Sequence, residues 1–167
     1  MDIIDDFLPS YQFKQVSSLL IGDAFPWYYN DGIVIPFSPG SFQFTHTLFD
    51  RRPPWNGPSQ YFPFMEVFLP RLKIYPEKLY RIKANLRTRS FFNRSGGGYH
   101  TDGYDCSHTS IYYINTNNGY TKFKNGTKVK SVQNRMVVFP SHLEHQGYTC
   151  SDKLKRVVIN FNYDCLL

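Results

Sequence analysis

The sequence predicts a mainly β protein: a sandwich or barrel of short strands behind a short helical segment. Aromatic residues make up 18% of the chain, with 15 Phe and 13 Tyr, and these residue types suit the pleated, half-buried surface of a strand. From Tyr80 onward, apolar and polar residues alternate with a period of two in one short run after another. Turn residues such as Asn117-Asn118-Gly119 separate the runs. Many short strands at regular intervals argue for a sandwich or barrel.

Each element has its own signal. Ser10 is placed to cap a helix over residues 10–21, where Phe13, Val16 and Leu20 fall at helical spacing and Gly22 can end it. Phe25-Pro26-Trp27-Tyr28-Tyr29 is aromatic and extended. With the turn Asn30-Asp31-Gly32 and the run Ile33-Val34-Ile35 it reads as a hairpin. Ser41 to Phe49 alternates as a strand, with Phe42, Phe44, His46 and Leu48 on one face. Residues 50–60 read as a long loop. Residues 62–73 read as a helix that Pro70 ends or kinks. Tyr80, Ile82, Ala84 and Leu86 alternate with Arg81, Lys83, Asn85 and Arg87 in the next strand. Further strands are expected at 98–102, 110–115, 120–124, 127–132, 136–139 (ended by Pro140), 145–149 and 155–163.

A chain of 167 residues suggests one domain, with 1–79 as helical and hairpin support and 80–167 as the core barrel. It contains no apolar run long enough to span a bilayer, and its first residues lack the charged flank and apolar core of a signal peptide. A soluble cytoplasmic protein without a membrane partner is therefore expected. Cys106, Cys150 and Cys165 are an odd number without close pairing or zinc spacing, which fits reduced thiols. The net charge of +6 permits an acidic partner or anionic cosubstrate without demanding one.

The chemistry centres on Gly96-Gly97-Gly98-Tyr99-His100-Thr101-Asp102-Gly103. In an extended strand, residues i and i+2 face the same way, so His100 and Asp102 reach one point. One imidazole and one carboxylate are two-thirds of a non-haem iron(II) site, which needs two His and one carboxylate. His145, where a strand resumes, is the preferred third ligand because a ligand belongs on a rigid element. His142, on the preceding turn, is its competitor. Arg156 opens an alternating strand on which Val158, Asn160 and Asn162 share its face. An arginine directed into a barrel needs an anion, and its fork matches a carboxylate. A cosubstrate that chelates metal at one end and carries a carboxylate at the other is 2-oxoglutarate.

The ordered set His100-Thr101-Asp102, His145 and Arg156 resembles the 2-oxoglutarate- and Fe(II)-dependent oxygenases, and among them the prolyl-4-hydroxylase-like group with its short phage-encoded members. Phe139-Pro140-Ser141-His142-Leu143-Glu144-His145 resembles that group's approach to the distal ligand, and Arg156 to Asn162 its closing strand. Ile111-Tyr112-Tyr113-Ile114-Asn115 resembles a strand whose second tyrosine bonds the far carboxylate of 2-oxoglutarate. The resemblance runs from about Arg81 to Tyr163. It implies a double-stranded β-helix of the jelly-roll or cupin kind, with iron(II) on His100, Asp102 and His145. It also implies 2-oxoglutarate on Arg156 and Tyr113, Asn85 lining the pocket, and O2 as oxidant. The implied reaction hydroxylates a substrate C–H bond, a prolyl residue of a peptide in the leading analogy, with release of succinate and CO2. The location implied for a phage member is the host cytoplasm.

The chain also departs from the pattern. Ala84-Asn85-Leu86-Arg87 stands where phage relatives often show Ala-Asn-Leu-Tyr, which removes a second tyrosine contact to the cosubstrate. Val158 and Asn162 stand where nucleic-acid demethylases want Asn and Arg, so a peptide or small molecule is favoured over nucleic acid. The carboxylate Asp102 argues against halogenation. His46 reads as a buried structural histidine, Arg51 to Trp55 as a solvated loop able to cover the mouth, and the Arg81, Lys83, Arg87 and Arg89 face as solvent-exposed. The alternative from another class is a non-catalytic β-barrel binding or structural protein with a vestigial metal site.

Overall fold

The computed structural model describes residues 1–32 and 42–164. The expected run Ile33-Val34-Ile35, the strand start at Ser41 and Cys165 lie outside the described residues. In chain order the elements are β1 (Asp2–Ile4), α1 (Ser10–Ile21), β2 (Tyr28–Asn30), β3 (Gln43–Asp50) and β4 (Gly57–Pro58). The 3-10 helices Phe62–Phe68 and Pro76–Lys78 follow, then β5 (Leu79–Thr88), β6 (His108–Tyr113), β7 (Tyr120–Phe123) and β8 (Lys128–Lys130). β9 (Arg135–Pro140), β10 (His145–Tyr148) and β11 (Lys155–Tyr163) complete the order.

The strands form two antiparallel sheets. The larger runs β1-β9-β6-β11-β5-β3-β2, with β4 beside β3, and the smaller runs β10-β7-β8. Isolated antiparallel bridges join Ser95 to Tyr148 and His100 to His145, so the glycine-rich segment extends the smaller sheet along β10. The segment expected as a strand at 98–102 pairs only at His100. This is a double-stranded β-helix.

Strand alternation sorts the core into two layers. Leu48, Ile82, Ala84, Ile159 and Phe161 pack with Val16 and Leu20 of α1 and with Met65 and Phe68, so the helices cover the outer face of the larger sheet. Ile111, Tyr113, Phe123, Val137, Phe139 and Val158 pack together between the two sheets. Residues of the opposite parity on β5 and β11 are therefore left to face the barrel interior. Here the expected solvent-facing stripe on β5 is overturned: Arg81, Lys83, Asn85 and Arg87 line an internal cavity. Alternation identifies which residues share a face, but not which layer covers that face.

Smaller differences have local causes. Pro9, not Ser10, occupies the cap of α1, and no side chain caps it. Gly22 ends α1 in an extended conformation, where a Cβ would come within 2.7 Å of the Ser18 carbonyl oxygen. The helix expected over 62–73 is the 3-10 helix Phe62–Phe68, which stops before Pro70. β1 is too short to show periodicity, and it is held by pairing with β9. Among the described residues, no helix is long and apolar enough to cross a membrane.

Candidate active site

β10 and the glycine-rich segment position the two histidines directly opposite each other. The His100 N–H donates to the His145 carbonyl at 3.0 Å, and the His145 N–H returns a bond to the His100 carbonyl at 2.9 Å. Their rings lie 4.9 Å apart between centroids. Gly98 (φ 86°) and Gly103 (φ 71°) turn the chain into and out of this short run through the left-handed region that side-chain-bearing residues avoid. Asp102 follows within the same turn. One ligand atom from each of His100, Asp102 and His145 lies within 4.8 Å of the other two. The exposed His142, on the turn closed by the Leu143 N–H to Pro140 carbonyl bond, is not part of this cluster.

The surroundings of these three side chains suit a divalent metal. The Nδ1 of His100 meets the Gly98 carbonyl at 3.2 Å, and the Nδ1 of His145 meets the Leu143 carbonyl at 3.4 Å. A proton on each Nδ1 leaves the Nε2 lone pair free for a metal, with the ring orientation already set. Asp102 Oδ2 accepts from Asn162 Nδ2 at 3.0 Å and pairs with Arg81 Nη2 at 3.1 Å, and neither partner engages Oδ1. Burial alone would raise the Asp102 pKa. The Arg81 guanidinium, the two imidazoles and Asn162 outweigh it and hold the carboxyl well below the usual range. Burial lowers the His145 pKa and favours the neutral ring that a metal requires. Two imidazoles and one carboxylate are the donor set for non-haem iron(II).

The cluster opens into a cavity of about 550 Å³ whose lining includes Asn85, Thr121 and Arg156. Arg156 is 4% exposed. Its Nε donates to Ser131 Oγ at 2.8 Å and its Nη2 to Thr121 Oγ1 at 3.1 Å. Both partners are neutral, and among the described residues no carboxylate pairs with it. A buried guanidinium without a carboxylate partner is suited to an anionic ligand. The Tyr113 hydroxyl donates to the same Thr121 Oγ1 at 2.8 Å, and the Arg156 guanidinium lies 5.5 Å from the Tyr113 ring centroid, so Tyr113 packs against both. Burial raises the Tyr113 pKa and keeps the phenol protonated. Asn85 lines the cavity, with Nδ2 lying 3.5 Å from Asn160 Oδ1.

Gly119 makes room for Arg156. A Cβ at this position would lie 2.7 Å from Arg156 Cδ and 2.7 Å from Asn117 Oδ1. The residue reads in the sequence as a turn glycine, but it is also a close-approach glycine. Gly119→Ala is expected to cost about 1–3 kcal/mol through overpacking, seen as a lowered urea midpoint with an unchanged slope.

Several contributors escaped the sequence reading. Arg81, Lys83 and Arg87 shared a face with Asn85, so the alternation of β5 held the signal that they enter the cavity. Thr121 and Ser131 carry no such signal, because a hydroxyl on a short strand is ordinary. His46 is buried, bonded through Nδ1 to the Pro26 carbonyl at 2.9 Å and ringed by Phe25, Tyr28 and Tyr61, as expected of a structural histidine. In the loop after β3, Arg52 lies 3.6 Å over the Tyr104 ring, and the Tyr104 hydroxyl bonds Asp50. This anchors the segment following Asp102 to β3.

No protein-family model matches the sequence, and no curated protein matches it. Solved structures do match the fold. An oxidoreductase of the 2OG-Fe(II) oxygenase family from Burkholderia pseudomallei has a TM-score of 0.66 at 11% identity, covering 96% of this chain and 83% of that one. A prolyl-4-hydroxylase from Pseudomonas putida has a TM-score of 0.60 at 12% identity, covering 97% and 91%. A viral collagen prolyl hydroxylase from Paramecium Bursaria Chlorella virus-1 has a TM-score of 0.56 at 14% identity, covering 96% and 93%. The chain thus has the double-stranded β-helix fold of the 2OG-Fe(II) oxygenases and prolyl hydroxylases, over nearly its whole length.

Proposed function

We propose that residues 1–167 form one Fe(II)- and 2-oxoglutarate-dependent oxygenase domain that hydroxylates a C–H bond of its substrate. One observation carries this reading: the His100, Asp102 and His145 cluster opens into the same cavity as Arg156, a buried cation without an anionic partner among the described residues. A metal and a keto acid with a second carboxylate answer both features at once.

Each side chain then has a task. His100 and His145 would hold iron through Nε2 and Asp102 through Oδ1, leaving positions open on the metal. Arg156 would bind the far carboxylate of 2-oxoglutarate, with Thr121 and Ser131 fixing its fork and Tyr113 fixing Thr121. Arg81 and Asn162 hold Asp102 ionised and oriented, and Asn85 lines the cavity beside the cosubstrate. When bound, iron and 2-oxoglutarate supply the oxidation: O2 is consumed, the keto acid becomes succinate and CO2, and one oxygen atom enters the C–H bond. Prolyl hydroxylation of a peptide is the acceptor chemistry that the structural neighbours suggest, and fold likeness alone supports it.

Succinate formation tests the reading. The protein supplied with Fe(II), 2-oxoglutarate and O2 is expected to release succinate slowly without an acceptor and faster with one, and Asp102→Ala is expected to abolish both. No succinate above that formed by Fe(II) and 2-oxoglutarate without protein, or a rate unchanged by Asp102→Ala, would favour the non-catalytic barrel with a vestigial site.

A further inference from the structure

We propose that the molecule oxidised in this cavity is a small acid, and that Lys83 holds its anionic group. The proposal rests on the oxygenase reading above, and it concerns the acceptor rather than the cosubstrate.

Charge balance is the first observation. Arg81, Lys83, Arg87 and Arg156 all line the cavity, and Asp102 is the only carboxylate among the lining residues. Asp102 is matched by Arg81. Iron(II) and the 2-oxoglutarate dianion cancel each other. Lys83, Arg87 and Arg156 therefore remain as net positive charge in a confined space after metal and cosubstrate are in place. Largely buried cations without anions are costly, so the cavity is suited to one more anionic guest.

Position along the sheet singles out Lys83. Arg87 lies opposite Arg156 across the β5–β11 pair, at the end assigned to the cosubstrate carboxylate. Its Nη1 donates to the Gly147 carbonyl at 3.0 Å. Lys83 lies opposite Asn160 and two residues from Arg81, at the metal end. No hydrogen bond or ion pair engages its ammonium among the described residues. The carboxylates that attract Lys83, Asp102 and Asp50, are committed to Arg81 and to Tyr104. Burial, with Arg81 beside it, lowers the Lys83 pKa to about 8, the response of an ammonium that lacks a close counter-ion.

The rest of the wall agrees. Gln43, Asn85 and Asn160 present amides to the cavity, whereas Ile111 and Val158 are its aliphatic side chains. A neutral prolyl ring would find little apolar surface there. A compact, hydrophilic acid would find donors on several sides. The volume of about 550 Å³ must also hold metal and cosubstrate, which limits the part of the acceptor that enters. A carboxylate and a phosphate monoester share the required chemistry.

The test uses matched pairs on protein loaded with Mn(II) and saturating 2-oxoglutarate under anaerobic conditions. Free amino acids are compared with their amides, and sugar phosphates with the parent sugars, by calorimetric titration. Acids of one class are expected to bind while their neutral counterparts do not, and the binding class distinguishes carboxylate from phosphate. Lys83→Met is expected to weaken that binding about tenfold or more, and Lys83→Arg to retain most of it. Circular dichroism and 2-oxoglutarate affinity, both unchanged in Lys83→Met, would show that the variant is intact. The proposal is overturned if no acid binds, if neutral prolyl peptides bind as well as acids, or if Lys83→Met binds acids like the wild type. Titration of the Mn(II) protein with 2-oxoglutarate separates the two readings. Failure of 2-oxoglutarate to bind while acids bind through Lys83 would sink the oxygenase reading, and the reverse pattern would sink only the acid acceptor.

Discussion

His145→Ala is expected to lower affinity for iron(II) by more than about 100-fold and His142→Ala to leave it within about twofold, as read by anaerobic titration of the metal into purified protein. The first number is a lower bound, because changes in the groups that merely orient metal ligands already cost about 10–100-fold. The two histidines lie only three residues apart, and the variants remove the same chemical group, so the contrast isolates position. His145 is 3% exposed and paired through its backbone to His100, whereas His142 is exposed on a turn. Equal losses in the two variants, or a larger loss in His142→Ala, would mean that the cluster on His145 is not the metal site. Phe139 and Phe123 flank the His145 ring at 5.0 Å and 6.0 Å between centroids, so the alanine variant also leaves a void. A His145→Gln variant fills more of it and is expected to keep the fold while still losing the metal.

Arg156→Met is expected to weaken 2-oxoglutarate binding about 100-fold without changing metal affinity. Two charge-assisted hydrogen bonds to a carboxylate, at roughly 1.5 kcal/mol each, give about 3 kcal/mol, and each 1.4 kcal/mol is tenfold. The methionine side chain keeps the aliphatic length that packs beside Gly119 and lacks the guanidinium. Removing a buried cation that only hydroxyls satisfy relieves a desolvation cost, although Ser131 loses its partner. Titrating Mn(II) first and 2-oxoglutarate second reads the two affinities separately. Parallel loss of both would indicate collapse of the barrel interior instead of loss of one contact.

Much of the candidate site was legible because the chemistry proposed for it requires particular residue types in chain order. His100 and Asp102 two residues apart, then His145, then Arg156 on an alternating strand, cannot easily be replaced by other side chains. The strands of the second half were legible for a different reason: each carries a period-two pattern. What stayed hidden depends on three-dimensional neighbours. The basic face of β5 looked like a solvent face because charge usually is exposed. Only the packing of α1 and the Phe62–Phe68 helix on the opposite face shows that the charges point inward. Thr121 and Ser131 became visible only as the partners of Arg156. Tyr113 fell where the strand pattern put it, with its hydroxyl on Thr121 and its ring beside the Arg156 guanidinium.

The pair of backbone bonds between His100 and His145 has a further consequence. In many small metal proteins the ion is a staple, and the ligands meet only because it draws them together. Here the peptide groups of two neighbouring chain segments set the spacing of the imidazoles, and Arg81 with Asn162 sets the carboxylate. The scaffold bears the cost of assembling the site in advance. A metal bound there would be a guest able to leave and return without remaking the fold, and competition among divalent ions rather than the stability of the barrel would govern its retention.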